Sequence, residues 1–382
     1  MRAVPDLRAP PLPPATPDGT LDVMTHTHTH TTHAAHGHVD HGGPIDSPIL
    51  VEVTRGGMVE SVHRGRACLV DAAGHRLAQW GDVTAPVYPR SAIAALQALP
   101  LVDSGALDAF ELGDSELALA CASHSGEIRH TRLLESWVKR LGLSADDLDC
   151  GPQVPTDPDT AADLIRDGQA PTVFHNTGAG KHAGLLTTIR HRNEPVKGYT
   201  RFDHPAQQRL LGVLEQMSGQ DLSQAPWGVD HCGLPTIGIP LEAVAYAMAR
   251  LADPVDLPDA RASAANRIVK AWKAHPHLIG GKDSFDTRMM QASGGRVLVK
   301  SGAEGIACAV LPKEGVAIAL KIEDGSARAR DVAMAALIRA TDALNEEQWS
   351  RAADLLIVPQ LNRAGREVGV IQAAEGWPVL EA

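Results

Sequence analysis

A chain of 382 residues with 44% hydrophobic and 21% charged side chains has the composition of a globular enzyme and enough length for a large core, as one domain or two closely packed ones. Its net charge of −11 and its 3% aromatic content argue against a nucleic-acid partner, which wants basic and stacking surface, and against an anionic membrane. The five cysteines, Cys68, Cys121, Cys150, Cys232 and Cys308, are odd in number and dispersed. They read as reduced thiols of a cytoplasmic protein.

Residues 1–46 open with prolines and continue as THTHTHTTHAAHGHVDHGG, with seven histidines from His26 to His41. So little apolar content predicts a disordered tail. Imidazoles in that density could gather a metal; equally, the tail could be a dispensable extension with Met24 as an alternative start. No apolar run approaches the ~18 residues of a membrane span, and prolines occupy the place of a signal core, so no export signal is read.

The domain is expected over 47–382. Ile49 to Thr54 reads as a strand with a hairpin turn at Gly56-Gly57, and strand pattern continues through Val62 and Ala67 to Asp71. Next comes PRSAIAALQAL, in which Ser91 is placed at a helix N-terminus, where free N–H groups and the dipole favour negative charge. Glu116 to Cys121 reads as an apolar helix ending at Ser123-His124-Ser125, His130 to Leu141 as an amphipathic helix, and Asp157 to Asp167 as a helix stopped at Gly168.

His175 to Gly184 is a glycine-rich loop feeding a helix through Thr188. It fails as a phosphate-binding loop, because His182 stands where the magnesium-binding hydroxyl belongs and the first glycine is misplaced. A turn at Asp230 to Pro235 precedes helices at Leu241 to Leu251 and Ala260 to Lys273. Strands follow at Arg296 to Lys300, Ile306 to Leu311 and Val316 to Ile322, then a helix from Ala327 to Leu344. Strand-rich ends around a helical middle predict an α+β fold: one sheet from both chain ends, with a helical lobe of about 90–275 between them.

Three separated segments fit one chemistry. Ser91 opens a helix, Ser123-His124-Ser125 follows another, and Lys300-Ser301-Gly302 ends a strand. Serine β-lactamases bring S-x-x-K, S-x-N and K-[ST]-G together in one cleft, supplying a hydroxyl nucleophile, an amine for its proton and donors for the oxyanion. Lys300 can act as a base if burial lowers its pKa. Here the position one turn after Ser91 is Ala94, so the first amine is missing. The alternatives are structural: Ser91 as a helix cap worth about 1 kcal/mol, Ser123 and Ser125 as turn hydroxyls, Lys300 as a strand-end charge.

The blocks PRSAIAALQALPLVDSGA, ELALACASHSGEIRH, HNTGAGKHAGLLT, GVDHCGLPTIGIPLEAVAYAMARL and FDTRMMQASGGRVLVKSGAEGI resemble the bacterial asparaginase II family, the Rhizobium-type L-asparaginases, and the resemblance spans about 49–380. It implies a serine β-lactamase/glutaminase-like fold, a homodimer, and hydrolysis of asparagine or a related small amide without a required cofactor. It also implies two Ser–Lys pairs, of which Ser123–Lys300 is complete while Ser91 has lost its lysine to Ala94. Zinc in that family is held by two cysteines and a lysine. Lys181 and Cys232 are retained here, but Gly178 replaces the second cysteine, Ala179 its neighbouring serine, and His231 the glycine before Cys232, leaving Cys232, Lys181 and His231 as the candidate donors. Ser91 is read as a nucleophile served by Lys300 or as a substrate-binding hydroxyl. Arg90, His124, Asn176 and Lys181 are candidates for holding substrate, Arg90 through a carboxylate. Losing two functional side chains within intact motifs leaves two rivals: a changed amide or lactam substrate, or a silent paralogue that binds a small ligand or metal.

Overall fold

Ile306–Leu311 (IACAVL) is buried at every residue, so this strand must be covered on both faces. It is β5 of an eight-stranded antiparallel sheet. The computed structural model describes residues 46–380, within a unit of the chain bounded at Ile45; the tail read over 1–46 thus lies, but for Asp46, outside the described residues. The strands are β1 (Ile49–Arg55), β2 (Met58–Asp71), β3 (Arg76–Trp80), β4 (Leu298–Ser301), β5, β6 (Val316–Ile322), β7 (Ile357–Leu361) and β8 (Glu367–Ala373). Their order is β7-β8-β1-β2-β6-β5-β4, with β3 also paired to β2. Both chain ends build the sheet, as expected.

Alternate residues on these strands enter two separate cores, because successive side chains of a strand point to opposite faces. Cys68, Val70, Cys308, Val310, Ala317 and Ala319 face the helical lobe. Ala67, Leu69, Ala307, Ala309, Ile318 and Leu320 face the other way, onto the helix after β6. Small residues predominate on these central strands, which lets helices approach closely on both sides.

Five helices position the site: α1 (Asp114–Ala120), α2 (Ala179–His191), α3 (Leu241–Ala252), α4 (Phe285–Ala292) and α5 (Ala327–Ala340). Helix α3 packs on β2, β5 and β6 from the lobe side, and α5 covers the opposite face. Ser284 caps α4 by accepting from Thr287 N–H, and Ser326 caps α5 through Ala329 N–H. The closing helix stops at Ala340, short of Leu344, with Thr341 and Asp342 turning the chain. No described helix is long and apolar enough to cross a membrane.

The expectation of a single helix beginning at Ser91 needs correction. Arg90–Ile93 is a 3-10 turn, and Ala94–Gln97 and Leu99–Asp103 are separate short helices. A four-residue 3-10 turn has few aligned peptide dipoles, so the macrodipole argument for Ser91 does not apply.

Candidate active site

Helix α1 ends at Ala120, and Cys121 and Ala122 turn the chain out of it by donating to Ala118 O and Leu119 O. Ser123 N–H donates to Ile279 O at 2.9 Å, and His124 N–H donates to Thr177 O at 3.2 Å. These bonds pin the serine between two other segments of the lobe. Across from it, Lys300 on β4 is paired with Cys308 on β5, which places its side chain on the lobe-facing side of the sheet. Its Nζ donates to Ser123 Oγ at 2.9 Å and to Ser301 O at 2.5 Å, and lies 3.7 Å from Asp286.

Lys300 is 1% exposed. Burial lowers its pKa from 10.5 to about 8; the Asp286 carboxylate opposes this, and the Arg330 and Lys181 charges assist it. Asp286, in the first turn of α4, also accepts from Ser301 N–H at 2.9 Å and from Ser301 Oγ at 2.5 Å. It thereby ties the end of β4 to the helix.

Ser91 faces the same cleft, which encloses about 410 Å³ and is lined by Ser91, Ser123, Lys300 and Arg330 among others. The residue before it, Arg90, adopts φ 50°, a conformation uncommon for a residue with a Cβ. Gly302 explains how the strand edge meets this turn. A Cβ there would stand 2.6 Å from Ile306 Cγ2, 3.1 Å from Ala92 N and 3.3 Å from Pro89 O. Only glycine lets β4 and the Ser91 turn come this close.

The hydrogen bonds of Lys300 go to Ser123 and Ser301, and none goes to Ser91. The amine within reach of Ser91 Oγ is Lys181, whose Nζ donates to it at 3.4 Å. Lys181 is 4% exposed and sits in the first turn of α2. Neighbouring Gly180 packs on α1 so tightly that a Cβ would fall 2.0 Å from Leu119 O, so α2 lies directly on the helix leading to Ser123.

The other sequence candidates separate. Arg90 is engaged: its guanidinium donates to Asp230 Oδ1 at 2.5 Å and lies 3.1 Å from His231 Nδ1. Burial acts to raise the Asp230 pKa, but Arg90 and Lys181 hold it below the ordinary carboxylate value. His124 is fully buried behind the cleft, accepts at Nδ1 from Gly126 N–H at 3.2 Å and stacks on His130 at 5.0 Å. Burial, with His130 and His175 near, pushes its pKa well below 6.5. Asn176 does line the cleft, yet its amide donates to Cys150 O at 2.8 Å and accepts from Gly178 N–H at 2.9 Å, which shapes the loop before α2.

Two residues without a motif complete the site. Asp286 is one. Arg330, in α5, is the other: it reaches the cleft while donating to Gly302 O at 2.8 Å and pairing with Asp331 at 2.7 Å. Asp331, raised to about 6 chiefly by burial and also by Asp286, carries the other end of that pair. Neither residue stands in a signature that sequence spacing could single out.

The donor set does not fit zinc. A structural zinc wants four N or S ligands, and among the described residues no three His, Cys, Asp or Glu side chains gather to hold a metal. Of the candidate donors, His231 turns to Arg90 and Lys181 turns to Ser91. A Cβ on Gly178 would lie 2.9 Å from Cys232 Cβ and 3.4 Å from its Sγ, so the glycine removes a side chain at the very spot where a second ligand would stand. All five cysteines are free and buried.

A family model described as L-asparaginase II matches residues 51–373. No curated protein matches the chain. Similar solved structures include a beta-lactamase from Mycobacterium bovis, 10% identical, with a TM-score of 0.37 over 76% of this chain and 94% of that one. A D-alanine carboxypeptidase from Burkholderia cenocepacia is 12% identical, with a TM-score of 0.34 over 76% of this chain and 92% of that one.

Proposed function

Because the chain belongs to the L-asparaginase II family, we propose that it hydrolyses a small amide, asparagine first among the candidates, to the acid and ammonia by Ser–Lys chemistry in this cleft. The observation that carries the reading is the buried contact of 2.9 Å between Lys300 Nζ and Ser123 Oγ. A lysine with a pKa near 8 keeps about a tenth of its population neutral at pH 7 and the rest protonated, so it can both take and return a proton during one cycle.

Amide hydrolysis on a serine proceeds in two halves. A hydroxyl adds to the carbonyl carbon, the C–N bond breaks, and the amide nitrogen leaves as ammonia after gaining a proton. Water then cleaves the ester. Ser123 and Lys300 form a relay beside that bond. Arg330 rather than Arg90 offers its charge to a substrate carboxylate, since Arg90 is bound to Asp230 while Arg330 borders the cleft. Its planar fork retains N–H groups beyond those bonded to Gly302 and Asp331.

The test is ammonia release from purified protein over asparagine, glutamine and other small amides, with Ser123→Ala alongside. We expect release from at least one small amide and a loss of 100-fold or more in the variant. Silence on every amide would overturn the assignment and favour a ligand-binding paralogue.

A further inference from the structure

We propose that Lys181 is the catalytic base of Ser91, an amine supplied by a helix distant in sequence in place of the one absent at Ala94. This rests on the hydrolase reading above and assigns the two serines different tasks: Ser91 attacks, and Ser123 relays.

Position 94, one turn after Ser91, is an alanine with no exposed surface. The ammonium of Lys300 is spent on Ser123 and Ser301. The Arg90 guanidinium is bound to Asp230 and cannot give up a proton at any working pH. Lys181 remains, with its Nζ 3.4 Å from Ser91 Oγ; such contacts are commonly long in a site without substrate and tighten when it binds.

The position of Lys181 is fixed by packing. Gly180 abuts Leu119 O, and the Lys181 side chain is almost wholly enclosed. The residue that would compete for it, a second metal ligand at position 178, is a glycine. Among the described residues, the side-chain hydrogen bond of this amine goes to the Ser91 hydroxyl.

Protons balance over the cycle. The Lys181 amine takes the Ser91 proton as the Oγ–C bond forms and the carbonyl becomes an oxyanion. Collapse of the oxyanion breaks the C–N bond; the departing nitrogen takes the Ser123 proton, which Lys300 replaces. Water then adds to the ester and gives a proton to Lys300, and Ser91 leaves with the proton held by Lys181. Both lysines return to their starting states, and no other reactant than water is consumed.

The test is covalent labelling by a fluorophosphonate, which reports an activated serine whatever the substrate, with the labelled residue located by peptide mass spectrometry. Ammonia release on the amide panel is measured in parallel. We expect labelling of Ser91 in the wild type, a fall in its rate of 100-fold or more in Lys181→Met, and a fall under tenfold in Lys300→Met. A small primary amine added to Lys181→Ala should restore part of the rate, which a merely structural lysine would not allow. Wild-type labelling rates in Lys181→Met, label on Ser123 only, or no label at all would each overturn the inference. If Ser91 labels through Lys181 but no amide is hydrolysed, the base assignment stands and the amidase reading falls; if amides are hydrolysed equally by Lys181→Met, the reverse holds.

Discussion

Two hydroxyls stand in one cleft and receive their amines from different kinds of structure. Ser123 meets a lysine on a sheet strand, with both faces of that sheet packed; the contact is 2.9 Å and the amine is 1% exposed. Ser91 meets a lysine in the first turn of a helix across 3.4 Å, on a turn where Arg90 has positive φ. A sheet fixes an amine by strand register, which alters only if the whole strand slips. A helix lying on another by a glycine contact fixes it by packing instead.

The largest expected effect comes from the sheet-borne amine. Lys300→Met should lower kcat/KM by about 10³-fold, in the range of a lost proton-transfer group. It should also make the protein more stable, since a pKa depressed to about 8 from 10.5 means that the charged form is disfavoured in the fold. That cost, on the order of 3 kcal/mol at pH 7, is fully present below pH 8 and fades as pH rises towards 10.5. Thermal melts at pH 7 should therefore show a Tm gain of several degrees that shrinks at high pH. A destabilised variant would mean that the Asp286 contact outweighs burial.

The same group sets the pH profile. If Lys300 supplies the proton to ammonia, kcat/KM should fall as pH rises through about 8. A rise through that value would make Lys300 the base, and the two serines would exchange tasks.

Much of this was legible in the sequence, and unevenly. Ile306–Leu311 and Val316–Ile322 coincide with the strands read from their apolar runs, because a doubly covered strand announces itself by composition alone. β7 and β8 were missed. Ile357–Leu361 contains Pro359 and lies at the sheet edge with alternating exposure, so local pattern argues against a strand that only pairing with β8 makes. The helices Pro205–Ser218 and Phe285–Ala292 were also missed. Ser91, Ser123 and Lys300 carry signatures; the Lys181–Ser91 contact joins residues 90 apart and leaves no local trace. Arg90 and His124 are chemically suited to binding substrate, but only three-dimensional neighbours reveal that one is paired and the other enclosed.

A middle-sized effect is expected at the seam between the two stations. Gly302→Ala would press a methyl into Ile306 Cγ2 and towards the backbone of Ala92 and Pro89. Easing that contact separates β4 from the Ser91 turn, and displacements near 1 Å can cost about 100-fold in rate. We expect kcat to fall 10- to 100-fold, with a stability loss of about 1–3 kcal/mol as for other overpacked sites. Unchanged kcat would show that the two stations need not be held in register.

The smallest effect on activity, and the sharpest for the comparison, is expected from Ala94→Lys. This change restores a Ser-x-x-Lys spacing, so a vacant base position should respond with a large gain. If Lys181 already serves Ser91, the new amine has no proton to take that is not already provided for. It also enters a fully buried position in a site holding Lys181 and Lys300, where overpacking costs about 1–3 kcal/mol and a third cation adds repulsion. Ammonia release should therefore stay within about threefold of wild type, or fall, while Tm drops. A tenfold or greater gain in kcat would instead show that Ser91 lacks a base in the native chain, and that the contact with Lys181 only positions the hydroxyl. The double variant Ala94→Lys/Lys181→Met then decides between the two: recovery of the activity lost in Lys181→Met would mean that either site can furnish the amine and that the geometry of Ser91, rather than the origin of the lysine, is what the fold maintains.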